Sequence, residues 1–379
     1  MKIAVVHDWL TTFTGAEHVL SEILRVYPDA NLFCLLDFLP RGDRAFLDDV
    51  MITTSFMQHL PLVRKHYRNY LPIMPFAIEQ FDLSQYDLVI SSSFAVAKGI
   101  ISSPNQLHVS YMHSPMRYAW DLTHQYMDEA RLRNGPKALI VKAMLHKIRQ
   151  WDSNSANGVD SFIANSCFIS RRIWKVYRRF STVIYPPVDT SAFTPTSEKE
   201  DFYLTASRMV PYKKLDIIVE AFSKMPNKRL VVIGDGPDYK KVKSIAGANV
   251  ELLGFQPFEV LRDHLQRAKA FIFAAQEDFG IIAVEAQACG TPVLAYGKGG
   301  ALETVVQNQT GLFFNEQTSQ AITEIVHEFE SRGSSFDAIR IRQNSERFSA
   351  QRFREEFSRF VDSQWQRFEL GLTENSSVY

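Results

Sequence analysis

The sequence predicts an α/β protein of two doubly wound units in tandem, and three observations carry that reading. Short apolar, β-type runs alternate with segments of i, i+3, i+4 apolar spacing throughout, the pattern of parallel sheets with helices on both faces. The length of 379 residues suits two domains of ordinary size. At mid-chain the stretch "VIYPPVDTSAFTPTSEKED" breaks the alternation with adjacent prolines and a polar run, so it reads as an extended hinge.

In the first unit the strands are "KIAVVHD", "NLFCLL", "DLVISSS", "HVSYMHS" and "SFIANS". In the second they are "DFYLTAS", "RLVVIGDG", "NVELLGF", "AFIFAAQ", "TPVLAY" and "TGLFF", with helical segments such as "KKLDIIVEAFSKM" between them. The boundary falls near residue 190, giving domains 1–189 and 190–352 and a final helix in 353–379. In that tail Phe348, Phe353, Phe357, Phe360, Trp365 and Phe368 recur at helical spacing and predict one apolar stripe packed across a domain face.

With 46% hydrophobic and 22% charged residues the chain reads as a globular protein. Lys+Arg and Asp+Glu are 42 each, so no global basic field argues for nucleic acid. Cys34, Cys167 and Cys289 lack metal-ligand spacing and suit a reducing cytoplasm, as buried small hydrophobes. The apolar run in "MKIAVVHDWL" is interrupted by Asp8 and too short for a signal segment, and no stretch reaches spanning length. The expected location is cytoplasmic.

The stretch "QEDFGIIAVEAQACGTPVLAYGKGG" carries the most chemistry. A strand, "AFIFAAQ", leads into a helix, "FGIIAVEAQAC", closed by Gly290. The start of a helix at a strand's C-terminal edge offers free N–H groups to an anion. Glu277 precedes the helix and Glu285 lies inside it, on the order of 10 Å away at ~1.5 Å rise per residue. Sharing a proton is excluded at that distance, as is a retaining glycosidase pair at roughly 5 Å. The two suit separate hydroxyl-bearing parts of an elongated ligand with phosphates between them. Ordinary solvated glutamates are the bland alternative, which the glycine-rich tail weighs against.

Arg208 and Lys213, in "ASRMVPYKKLD", follow the second unit's first strand, with Pro211 favouring a turn. They can hold a diphosphate or merely coat a solvated loop; Lys214 reads as secondary. In "VVIGDGPD", Gly234 and Gly236 allow close backbone approach, but Tyr239 stands where a dinucleotide fingerprint needs glycine, which counts against NAD. In the first unit, Gly15 of "TGAEHVL" either faces a phosphate or serves the entry of a helix from Ala16. His113, in "HVSYMHSPMRYAWDL", ends a strand at the edge where ligands bind, and is otherwise a structural histidine. Residues 55–81 and 131–151 interleave basic and apolar side chains, fitting either an anionic membrane surface or packed helices with a solvated basic face.

Together "EDFGIIAVE", "SRMVPYKK", "IGDGP", "TGAEHVL" and "HSPMRYAWD" resemble the retaining glycosyltransferases of the GT4 group, which have the GT-B fold, over nearly the whole chain. The set "HDWLTTFTGAEHVL", "YMHSPMRYAWD" and "YPPVDTSAF" is similar to bacterial mannosyltransferases of O-antigen and exopolysaccharide synthesis. The resemblance implies two Rossmann-like domains facing a cleft, an acceptor-binding 1–189 and a nucleotide-sugar-binding 190–352, with the final helix crossing back to the first. It implies that Glu277 bonds donor-sugar hydroxyls and Glu285 the ribose, while Arg208 and Lys213 neutralise the diphosphate. The backbone at Phe279, Gly280 and Ile281 would cap that diphosphate, with Gly15 beneath, although Thr14 stands where many relatives carry a second glycine. Gly234, Gly254 and Phe255 would line the nucleoside, His113 would touch the transferred sugar, and Asp8, Arg117 and Tyr118 are acceptor-side candidates. The acceptor hydroxyl would attack the face the diphosphate leaves, with no enzymic nucleophile, metal or cofactor. The implied donor is GDP-mannose and the acceptor a polyprenyl-diphosphate-linked or growing glycan at the inner membrane face. A nucleotide-sugar epimerase and a non-catalytic nucleotide-sugar-binding subunit are the rival readings.

Overall fold

The computed structural model describes residues 1–129, 132, 134–333 and 336–371. The chain forms two compact units, Met1–Tyr185 together with the segment from Phe353 onward, and Pro186–Arg352. The first is built on β1 (Ile3–His7), β2 (Asn31–Cys34), β3 (Ile52–Thr54), β4 (Leu88–Ser93), β5 (Leu107–Met112), β6 (Ser161–Ala164) and β7 (Thr182–Val183). They lie in the order β3-β2-β1-β4-β5-β6-β7, every described pair parallel. The second unit carries β8 (Phe202–Ala206), β9 (Arg229–Ile233), β10 (Val250–Gly254), β11 (Ala270–Phe273), β12 (Val293–Tyr296) and β13 (Gly311–Phe314). Its order is β10-β9-β8-β11-β12-β13, again parallel. In each sheet the order reverses beside the first strand, which puts the loops after β1 and β4, and after β8 and β11, at a switch point.

The strand runs are apolar on both faces because both faces are covered. Ala4 and Val6 join one core cluster and Val5 another; Tyr203 joins one cluster of the second unit, while Phe202 and Leu204 join its other. The sequence pattern missed β3 and β7, whose three and two residues are too short to show an alternation.

Five helices matter to the sites: α1 (Gly15–Val26), α2 (Pro136–Ser155), α3 (Leu215–Ser223), α4 (Ile281–Ala288) and α5 (Ala350–Glu369). α4 is shorter than "FGIIAVEAQAC" suggested. Gly280 has φ 87°, in the left-handed region, and the Phe273 ring would lie 2.9 Å from a Cβ there, so the helix begins only at Ile281. α5 presents Phe353, Phe357 and Val361, all fully buried, to the first unit's core beside Tyr111. Gln364 accepts from Ser161 at 2.8 Å on the same face. Phe348 leaves the predicted stripe: it precedes α5, lies in the second unit and packs edge-on against Phe279 at 5.3 Å. Residues 372–379 of the expected final helix lie outside the described residues.

Cys34 and Cys289 are buried as expected, but Cys167 is exposed at a helix start. One buried ion pair ties α2 to the end of the first sheet. Lys98 Nζ lies 2.9 Å from Asp152 Oδ1, and the same carboxylate accepts from Trp120 Nε1 at 2.7 Å and from the Tyr177 hydroxyl at 2.9 Å. With every partner satisfied, the pair is tolerated at zero exposure. Among the described residues no helix is long and apolar enough to cross a membrane.

Candidate functional site

In the second unit the loops after β8, β9 and β11 meet. The loop after β8 is laced to the one after β9: Met209 N–H donates to the Asp235 carbonyl at 2.8 Å, and Asp238 N–H to the Met209 carbonyl at 3.1 Å. Gly234 and Gly236 make that lacing possible, since a Cβ would lie 1.9 Å from the Ser207 carbonyl oxygen at the first and 2.5 Å from the Met209 carbonyl oxygen at the second. Gly234, expected at the nucleoside, is therefore approached closely by the protein's own backbone. Gly254 N-terminal to Phe255 is different. It has φ 70° with nothing within 4 Å of a Cβ, and Phe255 beyond it is 80% exposed, an aromatic face open to a planar base.

The loop after β11 is held from behind by the glycine tail. Gly300 N–H donates to the Glu277 carbonyl at 2.8 Å, and a Cβ on Gly300 would lie 2.4 Å from Phe279 Cα. Gly299, at φ 72°, abuts the Glu277 carbonyl in the same way. These glycines are the residues that fix the Glu277–Gly280 backbone, and the sequence showed them only as a tail without a role. Phe279 turns its ring inward, leaving its backbone at the start of α4, where the N-cap residue is Gly280 and makes no side-chain cap. A helix start of this kind suits an anion.

Around this helix start the charges divide by whether they are already partnered. Lys213 forms an ion pair with Glu277, both mostly buried. Arg208 is exposed, and its guanidinium has no hydrogen-bond or ion-pair partner among the described residues. Glu285 is half-buried on α4 with no partner for its carboxylate among the described residues, and burial pushes that carboxyl up to about 7. An exposed guanidinium and an unpartnered carboxylate beside a glycine-capped helix start make a surface with hydrogen-bonding capacity left over for a ligand.

The first unit's candidates stand otherwise. Asp8, expected on the acceptor side, is fully buried and spends both oxygens on four backbone N–H groups, Phe94, Ala95, Val96 and Ala97, at 2.5 to 2.9 Å. It holds the turn after β4, and no oxygen is left for an acceptor. Tyr118, the second acceptor-side candidate, has its hydroxyl enclosed without a partner and its ring packed against the core beside Tyr126. Arg117 is half-buried and already engaged. Gly15 opens α1 directly after Thr14, and Glu17 Oε2 accepts from the Thr14 amide at 2.9 Å and hydroxyl at 2.7 Å. Gly15 is the first residue of that helix.

His113 sits in a polar chain of residues the motif reading left out. Its Nε2 lies 2.9 Å from Ser92 Oγ, which lies 3.1 Å from His7 Nδ1; His7 Nε2 faces Glu17 Oε1 at 3.6 Å. Strand register brings these together: His7 is opposite Ser92, and Ser92 opposite Tyr111, two residues before His113. Burial holds the His113 ring down to about 3, so it is neutral at physiological pH. The available signal was polar residues closing otherwise apolar strands, "VVHD" and "VISSS".

The basic-apolar segments keep part of their apolar character in solvent. Phe56, Leu62 and Phe76 are exposed in 55–81, as are Leu139 and Ile140 on α2. An apolar groove of about 520 Å³ runs between Pro72 and Pro75 on one side and Met144, Ile148 and Trp151 of α2 on the other. Arg131 and Arg133 of the 131–151 segment lie outside the described residues.

Comparison with known proteins places this arrangement. Residues 189–347 match the family model of glycosyl transferases group 1. An uncharacterized glycosyltransferase of Methanocaldococcus jannaschii is 28% identical over 200 residues, covering 52% of this chain and 56% of the relative. A GDP-mannose-dependent monoacylated alpha-(1-6)-phosphatidylinositol monomannoside mannosyltransferase of Corynebacterium glutamicum is 29% identical over 217 residues, covering 49% of this chain and 57% of the relative. The matches thus span little more than half the length of these curated relatives. Among solved structures, HepE of Anabaena in complex with UDP superposes with a TM-score of 0.71 at 19% identity, over 96% of this chain and all of that one. The lipopolysaccharide outer core galactosyltransferase WaaB follows at 0.68 and 18%, with the same coverage. These likenesses establish the fold as two Rossmann-like domains of the GT-B type.

Proposed function

We propose that this chain, whose residues 189–347 belong to the glycosyl transferases group 1 family, transfers a sugar from a nucleoside diphosphate to a hydroxyl of a lipid-linked bacterial surface glycan. One observation carries the reading: beside the start of α4, the Arg208 guanidinium and the Glu285 carboxylate are unpartnered among the described residues and suit, respectively, a diphosphate and a pair of ribose hydroxyls. Arg208 forks onto phosphate oxygens, and the α4 N–H groups at Gly280 and Ile281 add their dipole from behind. Lys213 brings the second positive charge, its pairing with Glu277 setting that carboxylate to accept from sugar hydroxyls beside the phosphate. Phe255 stacks on the base. The relatives' names support mannose as the sugar and GDP as its carrier.

Transfer then proceeds with retention. The acceptor hydroxyl enters from the face the diphosphate leaves, and the departing phosphate oxygen takes its proton. Positive charge from Arg208, Lys213 and the helix start grows in value as the phosphate gains charge, so it lowers the barrier rather than only tightening binding. The acceptor lipid is met at an anionic membrane surface, where Leu62, Phe76, Leu139 and Ile140 insert, flanked by Arg64, Lys65, Arg68, Lys137 and Lys147.

Incubation with a panel of nucleotide sugars and polyprenyl-diphosphate-linked glycans, read by product mass and anomeric configuration, tests the reading. Transfer of mannose from GDP-mannose with retained configuration is expected. Inversion removes the mechanism, and isomerised donor without acceptor makes the chain an epimerase. Co-sedimentation with vesicles containing phosphatidylglycerol should fall when Leu139 and Ile140 are both changed to Ser; unchanged binding removes the membrane face.

A further inference from the structure

The polar chain behind His113 has a direction. His7 Nε2 is fully enclosed and makes no hydrogen bond among the described residues; the nearest group is the Glu17 carboxylate at 3.6 Å. Burial works to raise the Glu17 carboxyl, but the His7 ring and the Thr14 hydroxyl outweigh it and hold Glu17 below its ordinary value, so it is an anion. Facing an anion, His7 Nε2 must carry a hydrogen, because a ring lone pair there would be repelled. With His7 uncharged, which is the condition the assignment sets, its lone pair is on Nδ1, toward Ser92. Ser92 has one hydrogen, which goes to His7 Nδ1, and its oxygen is left to accept from His113 Nε2–H. A neutral His113 with its hydrogen on Nε2 has a bare Nδ1. That atom has no partner among the described residues and is not enclosed.

We infer that Glu17, His7 and Ser92 are positioning residues that hold His113 as the Nε2–H tautomer, so that Nδ1 presents a lone pair to a ligand hydroxyl. The titratable groups packed around His7 are its neighbour Asp8, Glu17 from α1 and His113 across Ser92, and Asp8 is already committed to four amides. Only the nature of the hydroxyl, one on the transferred sugar, rests on the sugar-transfer reading; the tautomer does not. A hydrogen-bond acceptor there explains how a ring held neutral can orient a sugar without acting as a proton donor.

Nitrogen-15 NMR of the histidine-labelled full chain at neutral pH reads the tautomer directly, without turnover and without a substitution. His113 should show a protonated Nε2 and an unprotonated Nδ1; the reverse pattern, or an imidazolium at His7, overturns the assignment. Ser92→Ala should let both His113 tautomers populate and lower kcat about tenfold with donor KM unchanged, the size of effect seen when an orienting partner is lost. Glu17→Gln, which keeps an acceptor for Thr14 but carries no charge, should shift the tautomer in the same direction. If both variants leave the His113 tautomer as it is in the parent, the relay has no role. A protonated Nε2 in a chain that transfers no sugar from any donor would sink the transfer reading and leave the relay standing.

Discussion

Two strand-edge sites, one in each unit, are made from similar materials and end in opposite states. In the first unit Asp8 closes a strand at the switch point and has given all its bonding capacity to Phe94, Ala95, Val96 and Ala97. In the second, Arg208 follows a strand at the equivalent point of its sheet, and its guanidinium has given away none among the described residues. Position at the C-terminal edge of a parallel sheet marks where a ligand can bind, but only unspent hydrogen-bonding valence marks which residue binds it. At these two positions, the first unit spends its carboxylate on shaping a loop, while the second leaves its guanidinium unspent among the described residues.

The sharpest way to break this contrast is Asp8→Ala. It leaves four buried N–H groups without an acceptor and should cost on the order of 4 kcal/mol of stability in urea unfolding. A loss within about 0.5 kcal/mol, the ordinary range of a surface substitution, would mean the turn after β4 does not depend on it. Arg208→Ala is the mirror case. Stability should stay within about 0.5 kcal/mol, while affinity for the nucleoside diphosphate, measured calorimetrically, falls by about 1.5 to 3 kcal/mol as a charge-assisted contact is lost. Equal affinity for parent and variant would remove the phosphate role.

Glu285 gives a smaller effect with a characteristic pH dependence. Its folded value near 7 lies above the ordinary 4.5, so folding favours the neutral carboxyl. The stability this contributes is whole below about pH 4.5 and is lost as the pH rises through about 7. Glu285→Gln should therefore stabilise the free protein above pH 7. Ribose hydroxyls donate to the ionised form, so nucleotide binding should strengthen as pH rises through 7 and should release a proton below it. Calorimetry in buffers of different ionisation enthalpy detects that proton; its absence would separate Glu285 from the ligand. The smallest effect belongs to Phe255→Ala, which should leave stability unchanged, weaken the nucleoside diphosphate by about 1 kcal/mol through lost stacking, and leave inorganic diphosphate binding as it was.

Much of the fold was legible because parallel strands buried on both faces announce themselves as apolar runs, and eleven such runs were visible. β3 and β7 escaped because "ITT" and "TV" are held by a neighbouring strand and carry too few residues to show a period. In the candidate site, Glu285 and Arg208 stood out because a charge beside a glycine-rich loop or on an apolar helix needs a reason, and the structure leaves both side chains without a partner among the described residues. Gly234 also answers to the Ser207 carbonyl, since close backbone approach has the same sequence signature whether the visitor is a nucleoside or the protein's own chain. The His113 chain showed only as polar residues closing apolar strands. His7 and Ser92 are made neighbours by strand register, and Glu17 is brought to His7 by α1, so the set does not read from spacing.

The chain's route has one further consequence. It leaves the first unit once, at Tyr185, and re-enters it once, at Phe353. Just inside the second unit the outgoing and returning segments are clasped: Val188 N–H donates to the Phe348 carbonyl at 2.8 Å, and Ala350 N–H to the Val188 carbonyl at 3.1 Å. The second unit is thus a parenthesis written into the first, opened and closed at one point. A module inserted this way can be exchanged for another by splicing at its two ends, without cutting any strand of the sheet that hosts it.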